Sequence, residues 1–224
     1  MKFATIIMKD EIHVSFGGSH FLLSSEGVLF HRETGLMIIS DCHFGKTTHF
    51  RKNALPVPEK AIMNDFQRLK SVTDKLKPNR ICFLGDLFHS TMNREWGMLS
   101  EFLYTHIKCR LTLVLGNHDI LTSRAYESAG FEITDTLMVG NICCIHDLHN
   151  TNTKMNFTIS GHLHPGFKIK GLGRQQITLP CFYMGANQLI VPAFGSLTGL
   201  HLLEKTDKTD RVFCFTPGNI FEVH

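Results

Sequence analysis

Apolar and polar positions change their spacing along the chain, and each change marks an element. Short apolar runs bounded by turn residues cover residues 3–8, 12–16, 21–24 and 28–31, and another follows a Glu33-Thr34-Gly35 turn at 36–40. These predict strands. Between residues 58 and 76, Ile62, Phe66, Leu69, Val72 and Leu76 recur every three or four positions, which predicts an amphipathic helix opening at Pro58. A second helix is predicted near 94–107. Uninterrupted apolar runs at 81–84, 111–115, 142–145 and 157–159 read as strands buried on both faces. From about Gly166 the chain returns to strand-and-turn text, at 168–170, 177–183, 189–191, 200–203 and 211–215. Many strands with few helices predict an α/β fold in which two sheets pack together and helices lie outside. No repeat, low-complexity tract or linker interrupts the sequence, so a single domain spanning 1–224 is expected.

Composition narrows this picture. The chain has 224 residues, 43% of them hydrophobic, and a mean hydropathy of −0.01. No apolar run approaches the roughly 20 residues of a membrane-spanning helix, so no membrane association is expected. The seven cysteines are odd in number and sit largely inside apolar runs (Cys82, Cys143, Cys144, Cys214), which argues against a disulfide framework and for a reducing compartment. The apolar residues 3–8 are too few for a signal peptide, so the expected location is the cytoplasm. A net charge of +3 names no partner. Fourteen histidines are many for this length, and imidazole is the side chain most used for metals and proton transfer.

The residues that follow the buried runs explain those histidines. After 36–40 comes Asp41-Cys42-His43, and after 81–84 comes Gly85-Asp86. Gly116-Asn117-His118-Asp119 follows 111–115, His146 follows 142–145, and Gly161-His162-Leu163-His164 follows 157–160. Sites in α/β sheets form outside the carboxyl ends of strands, so these five segments can converge. In Asp41/His43 and His162/His164, residues two apart on an extended segment point the same way. Asp41, His43, Asp86, Asn117, His146, His162 and His164 are seven mixed nitrogen and oxygen donors, too many for one tetrahedral zinc. A bridging Asp86 carboxylate gives each of two divalent ions four protein contacts, an arrangement suited to displacement at phosphorus. His118 and Asp119 remain over. A histidine there, with a carboxylate to fix its tautomer, is placed to protonate a leaving oxygen or to stabilise the phosphate in the transition state.

The ordered pattern D-x-H, G-D, G-N-H-D, H, G-H-x-H resembles the calcineurin-like metallophosphoesterases over residues 36–165. The resemblance implies a sandwich of two mixed β-sheets flanked by α-helices. It also implies one metal held by Asp41, His43, Asp86 and His164, a second held by Asp86, Asn117, His146 and His162, and a catalytic His118. Mn²⁺ is the metal expected by resemblance, while Fe²⁺, Ni²⁺ or Zn²⁺ also suit such donors. The stretch from His43 to Lys52 and the late Pro192-Ala193-Phe194-Gly195-Ser196-Leu197-Thr198-Gly199 are similar to the subgroup of bacterial ligase-associated DNA damage response endonucleases. That similarity implies a phosphodiesterase acting on DNA, single-stranded DNA first, in association with a DNA ligase and helicase repair system. Its competitors are hydrolysis of a small phosphodiester or phosphomonoester and a non-catalytic scaffold. A scaffold is expected to lose ligands, and none is lost.

Substrate contacts are expected from Lys46, Arg51 and Lys52, which follow the first ligand pair with no acid between Asp41 and Glu59, and from His89 beyond Asp86. No acid occurs between Asp147 and Glu204, where Lys154, Lys168, Lys170 and Arg174 fall, a bias that lowers repulsion of a polyanion. Phe44, Phe50 and Phe167 are candidates to stack bases, with core packing the plainer reading. Cys42, between two candidate ligands, is expected to point away from them.

Overall fold

The computed structural model describes residues 9–46, 59–148, 155–171, 173 and 175–223, with side chains in the first helix described from Met63 onward. Seven strands form the first sheet in sequence order: β1 Glu11–Phe16, β2 Ser19–Ser24, β3 Leu29–His31, β4 Leu36–Ser40, β5 Arg80–Leu84, β6 Arg110–Val114 and β7 Phe131–Thr134. β1 to β4 pair antiparallel and β4 to β7 parallel, so the sheet is mixed. The parallel half needs crossovers. α1 Glu59–Leu76 links β4 to β5, α2 Arg94–His106 links β5 to β6, and α3 Ser123–Ser128 links β6 to β7. Asn93 starts α2 by accepting hydrogen bonds from Glu95 N and Trp96 N with its side-chain oxygen.

The second sheet is built from β8 Leu137–Val139, β9 Ile142–Ile145, β10 Phe157–Ser160, β11 Pro165–Lys170, β12 Gln176–Met184, β13 Gln188–Ile190 and β14 His201–Leu202, in the order β14-β11-β12-β13-β10-β9-β8. β15 Arg211–Thr216 and β16 Asn219–Val223 branch from β12. β9, β10 and β13 run parallel and the other pairs, except β11 with β14, antiparallel.

Alternation along the central strands divides the core into two layers. Met37, Ile39, Ile81, Phe83, Leu111 and Leu113 face Phe66, Leu69 and Val72 of α1 and Leu99 and Leu103 of α2. The intervening Leu36, Ile38, Cys82, Leu84 and Val114 face the second sheet, meeting Ile142, Cys144, Ile159, Phe182, Leu189 and Phe213. Burial of each such side chain contributes about 1.5–3 kcal/mol. The helices among the described residues thus cover the outer face of the first sheet. The second sheet's outer face carries a smaller cluster around Cys181, Tyr183, Val212 and Cys214. All seven cysteines are free. Among the described residues no helix is long and apolar enough to cross a membrane.

Most expected elements are present within a residue or two. The expected strand at 3–8 lies outside the described residues. Four elements lacked a legible run: α3, β7, β8 and β16 are short or carry only one fully buried residue each apart from α3, which has two. A strand with one face in solvent and three to five residues offers too few alternations to read.

Candidate metal centre and active site

The strand ends of both sheets converge as the ligand pattern requires. Asp41 and His43 follow β4, Asp86 follows β5, Asn117 follows β6, His146 follows β9, and His162 and His164 follow β10. Pairing continues beyond β4 and β5: Asp41 N donates to Gly85 O, His43 N to Asp86 O and Phe44 N to Leu87 O. This ladder carries the first two ligand segments side by side.

Local backbone conformation marks the same residues. Asp41, His43, Asp86, His162 and His164 all adopt φ between +46° and +67°. Lys77 is the remaining non-glycine residue of this kind among the described residues. A left-handed residue with a Cβ costs on the order of 1–2 kcal/mol, so five at one place represent conformational strain that the surrounding structure holds. Glycines serve close approach here. A Cβ on Gly161 would lie 1.7 Å from Ser40 Oγ and 2.6 Å from Asp41 Oδ2, and one on Gly116 would lie 2.3 Å from Asp86 N. Gly85 combines both needs: its φ is +76°, and a Cβ there would strike the His146 ring.

Two groups of candidate ligands form. Asp41, His43 and His164 offer ligand atoms within 4.8 Å of one another, and Asp86, His146 and His162 do the same. His43 Nε2 and His164 Nε2 are 3.3 Å apart, and His164 Nε2 is 3.2 Å from Asp41 Oδ1. In the second group, His146 Nε2 lies 3.4 Å from Asp86 Oδ1, 3.3 Å from His162 Nδ1 and 3.2 Å from Asn117 Oδ1. Asp86 stands between the groups, with Oδ1 toward His146 and Oδ2 3.7 Å from His43 Nε2.

Hydrogen bonding shows which atoms are left for a cation. Asp41 Oδ2 accepts from Ser40 Oγ and from His162 N at 2.9 Å, whereas Oδ1 is buried without a hydrogen bond. A buried carboxylate oxygen left unpaired is costly, and a divalent ion at that point satisfies it. His146 Nδ1 lies 3.0 Å from Leu84 O, so the ring donates to that carbonyl and presents Nε2 to the cluster. The residues therefore fit divalent cations. Burial pushes His43 down to about 3, with the Asp86 and Asp41 charges opposing it. For His146 burial also lowers the pKa, but the hydrogen bond to Asp86 and the charges of Asp41 and Asp86 outweigh it and hold the ring up to about 9. Without a cation, a proton on His146 offsets the two carboxylates. A bound metal takes the place of that proton.

The other expected site residues divide. His118 is half-buried beside the cluster, anchored by its backbone N–H to Asp86 Oδ1 at 2.9 Å, with its ring centroid 4.0 Å from that of His89 and 5.7 Å from that of His43. Among the described residues its ring nitrogens make no hydrogen bond. His89 places Nδ1 3.1 Å from His43 Nδ1, at the site. Lys46 is half-buried. Burial lowers its pKa against the opposing charges of Asp86 and Asp41, so it lies within their field. Arg51, Lys52 and Phe50 lie outside the described residues.

One expectation changes, and the plainer reading of two phenylalanines holds. Asp119 does not serve to orient the His118 ring: its oxygens accept from Gly116 N, Asp86 N, Leu87 N and Phe88 N, and Tyr126 OH reaches Oδ1 at 3.4 Å. Burial raises this carboxyl to about 6 against those donors, and its place is to lock the Asp86 loop to the Asn117 loop. Phe44 is buried against Phe66, ring centroids 5.2 Å apart, and is unavailable to a base. Phe167 is half-buried and packs on the Cys181 cluster. Cys42, as expected, points into the core, where burial keeps it a thiol.

Sequence reasoning missed a support behind Asp41 and Cys42. Asp65 Oδ2 accepts from Ser196 N at 3.1 Å and Ser196 Oγ at 3.0 Å, and Arg68 donates to Phe194 O while its guanidinium stacks 3.9 Å over the Phe194 ring. Phe194 N and Gly195 N then donate to Ser40 O and Asp41 O at 2.8 and 3.1 Å. The 192–199 motif was visible, but Asp65 on α1 is 131 residues from Ser196.

Fold and site together define a phosphoesterase built on a two-sheet sandwich with metal-binding groups at its strand ends. The sequence model described as calcineurin-like phosphoesterase matches residues 35–158, over half of the chain, and the protein belongs to that family. Among solved structures, the nuclease MPE of Pseudomonas putida is similar with a TM-score of 0.78 and 18% identity, over 95% of this chain and 100% of that one. Yfce, a phosphoesterase from E. coli, is similar with a TM-score of 0.43 and 13% identity, over 84% of this chain and 97% of that one. At 18% identity the likeness to the nuclease is one of fold. No significant match is found among curated protein sequences.

Proposed function

We propose that the protein is a two-metal phosphodiesterase that cleaves DNA, single strands first, and that it works in a repair context beside a ligase and helicase. The observation that carries the phosphodiesterase reading is the position of Asp86, with one oxygen at each of two ligand groups. The nuclease reading is supported by the likeness to a nuclease over the full length of that chain and by the acid-free basic stretch from residue 148 to 203.

Asp41, His43, Asp86 and His164 would hold one ion, and Asp86, Asn117, His146 and His162 the other, Mn²⁺ first among those that suit mixed nitrogen and oxygen donors. Such a pair supplies Lewis acidity, activating water near neutral pH and neutralising phosphoryl charge. The chain's own groups do the rest. Lys46, Arg51 and Lys52 bind phosphate oxygens. His89 holds the His43 ring in place through their nitrogen contact. His118, half-exposed and with neither ring nitrogen hydrogen-bonded among the described residues, hydrogen-bonds the reacting phosphate or delivers a proton to the departing oxygen. Asp119 acts at one remove, by fixing the loops that carry Asp86 and Asn117.

Circular single-stranded DNA and bis(p-nitrophenyl) phosphate, assayed side by side with Mn²⁺, test the reading. Linearisation of the circle, abolished by chelator, is expected. Hydrolysis of the small diester alone overturns the nuclease assignment and leaves a small-molecule phosphodiesterase.

A further inference from the structure

Beyond the metal groups, a basic feature of the described surface starts at a metal-ligand candidate. β11 begins at Pro165, one residue after His164, and β14 is tied to the same residue by His201 N donating to His164 O at 2.9 Å. β11 and β12 pair so that Lys168 stands opposite Thr178 and Lys170 opposite Gln176. Directly opposed residues share a face, so the two lysines, the threonine and the glutamine lie together. Phe167 and Ile169, on the alternate positions, pack on the cluster beneath. Leu202 of β14 is 46% exposed beside Gly166. A groove of about 510 Å³ is lined by Lys168, Lys170, Gln176, Leu202, Glu204 and Lys205.

Three lysines and one acid, Glu204, line this groove, which leaves an excess of positive charge. Lys205 donates to Val223 O, but among the described residues neither the Lys168 nor the Lys170 side chain makes a hydrogen bond or ion pair, and both are exposed. Glu204 is the only acid among the six residues named. Two like charges two positions apart on one strand, about 6.6 Å from Cα to Cα, repel each other unless an anion lies across both. That spacing is close to the repeat of adjacent phosphates in an extended nucleic-acid strand. The groove has the size of a pocket for one drug-sized ligand, the bulk of a nucleotide or two, and is far too small for a duplex. Leu202 offers an apolar surface to a base or sugar.

We infer that this groove binds the backbone of a single nucleic-acid strand, with Lys168 and Lys170 on successive phosphates leading away from the His164 side of the metal centre. Resting on the nuclease reading, it adds a strand track that begins where β11 leaves His164 and runs outward from the reacting phosphate. The track is separate from Lys46.

Cleavage of a fluorescein-labelled 20-nucleotide single strand, followed from 25 to 200 mM NaCl with the Mn²⁺-loaded protein, tests this. Lys168→Ala/Lys170→Ala should raise KM roughly 10- to 30-fold at 0.1 M salt, and the log–log salt slope of kcat/KM should flatten by about 1.4, at about 0.7 for each phosphate the variant no longer neutralises. Lys168→Arg/Lys170→Arg should restore both. Unchanged KM and slope in the alanine variant, while the unmodified protein cuts the strand, overturn the track and leave the nuclease reading standing. An equal loss on bis(p-nitrophenyl) phosphate, too small to span both lysines, also overturns it, because the effect then comes through the metal site. If the unmodified protein neither binds nor cuts the strand, the nuclease reading fails first and the track with it.

Discussion

Neighbouring residues in the Gly116-Asn117-His118-Asp119 segment have separate tasks, and substitution should separate them. Asn117 Oδ1 joins the second ligand group, the His118 ring lies beside His43 and His89 with no hydrogen bond among the described residues, and Asp119 turns back to four backbone N–H groups. His118→Asn should keep the fold and the bound metal while turnover falls about 10²- to 10⁴-fold, the range for a positioned acid or base. Asp86→Ala removes the carboxylate that touches both groups, so metal content and activity should fall together. If His118 gives a proton to the leaving oxygen, the deficit of His118→Asn should shrink with a nitrophenolate leaving group, which needs little protonation; an electrostatic role keeps the deficit equal. Metal analysis with turnover on two leaving groups decides this, and metal loss in His118→Asn equal to that of Asp86→Ala would refute the assignment.

The strands that deliver ligands were readable because they are buried on both faces: β4, β5 and β9 each carry an uninterrupted apolar run, with a ligand within two residues of the strand's end. What the one-dimensional pattern does not encode is the closure of loops upon one another. Asp119 beside His118 suggested a pair, but the turn after Gly116 directs the carboxylate to residues 86–88 instead. The left-handed conformation of five ligand-bearing residues is likewise invisible, since Asp and His reveal no φ. The Asp65–Ser196 contact joins α1 to a loop far along the chain, and neither residue belongs to a hydrophobic period. This contact should matter in proportion to what it supports. Asp65→Ala deletes two hydrogen bonds and leaves the half-buried Arg68 with less counter-charge, at a cost of about 1.5–3 kcal/mol. Turnover should fall as well, because Phe194 and Gly195 hold Ser40 and Asp41 from behind. On the same helix Lys70→Ala breaks only an exposed pair with Asp74, which should cost about 0.3–0.5 kcal/mol. Urea unfolding of the two variants compares them, and equal losses would show that the clamp carries no stability of its own.

Each ligand group draws on both layers of the sandwich. Asp41 and His43 come from the first sheet and His164 from the second; Asp86 comes from the first, His146 and His162 from the second. A divalent ion in either group therefore ties the two sheets together at their strand ends, where paired carboxylates and strained backbone would otherwise weaken the interface. The apolar layer between the sheets, with Leu84, Val114, Cys144 and Ile159 near those ends, holds the halves in contact and brings the donors within reach before any ion binds. Metal should thus stabilise folding as well as support catalysis. One ion at 100 times its dissociation constant adds about 2.7 kcal/mol if it binds only the folded state, which for a chain of this size raises Tm by about 5–10 °C. Thermal unfolding with Mn²⁺ and with chelator should show that difference. Asp86→Ala should lose most of it, while His118→Asn should keep it in full. An equal Tm with Mn²⁺ and with chelator would mean that the sandwich closes without help from its metal centre, and that the donors are held in position by the protein alone.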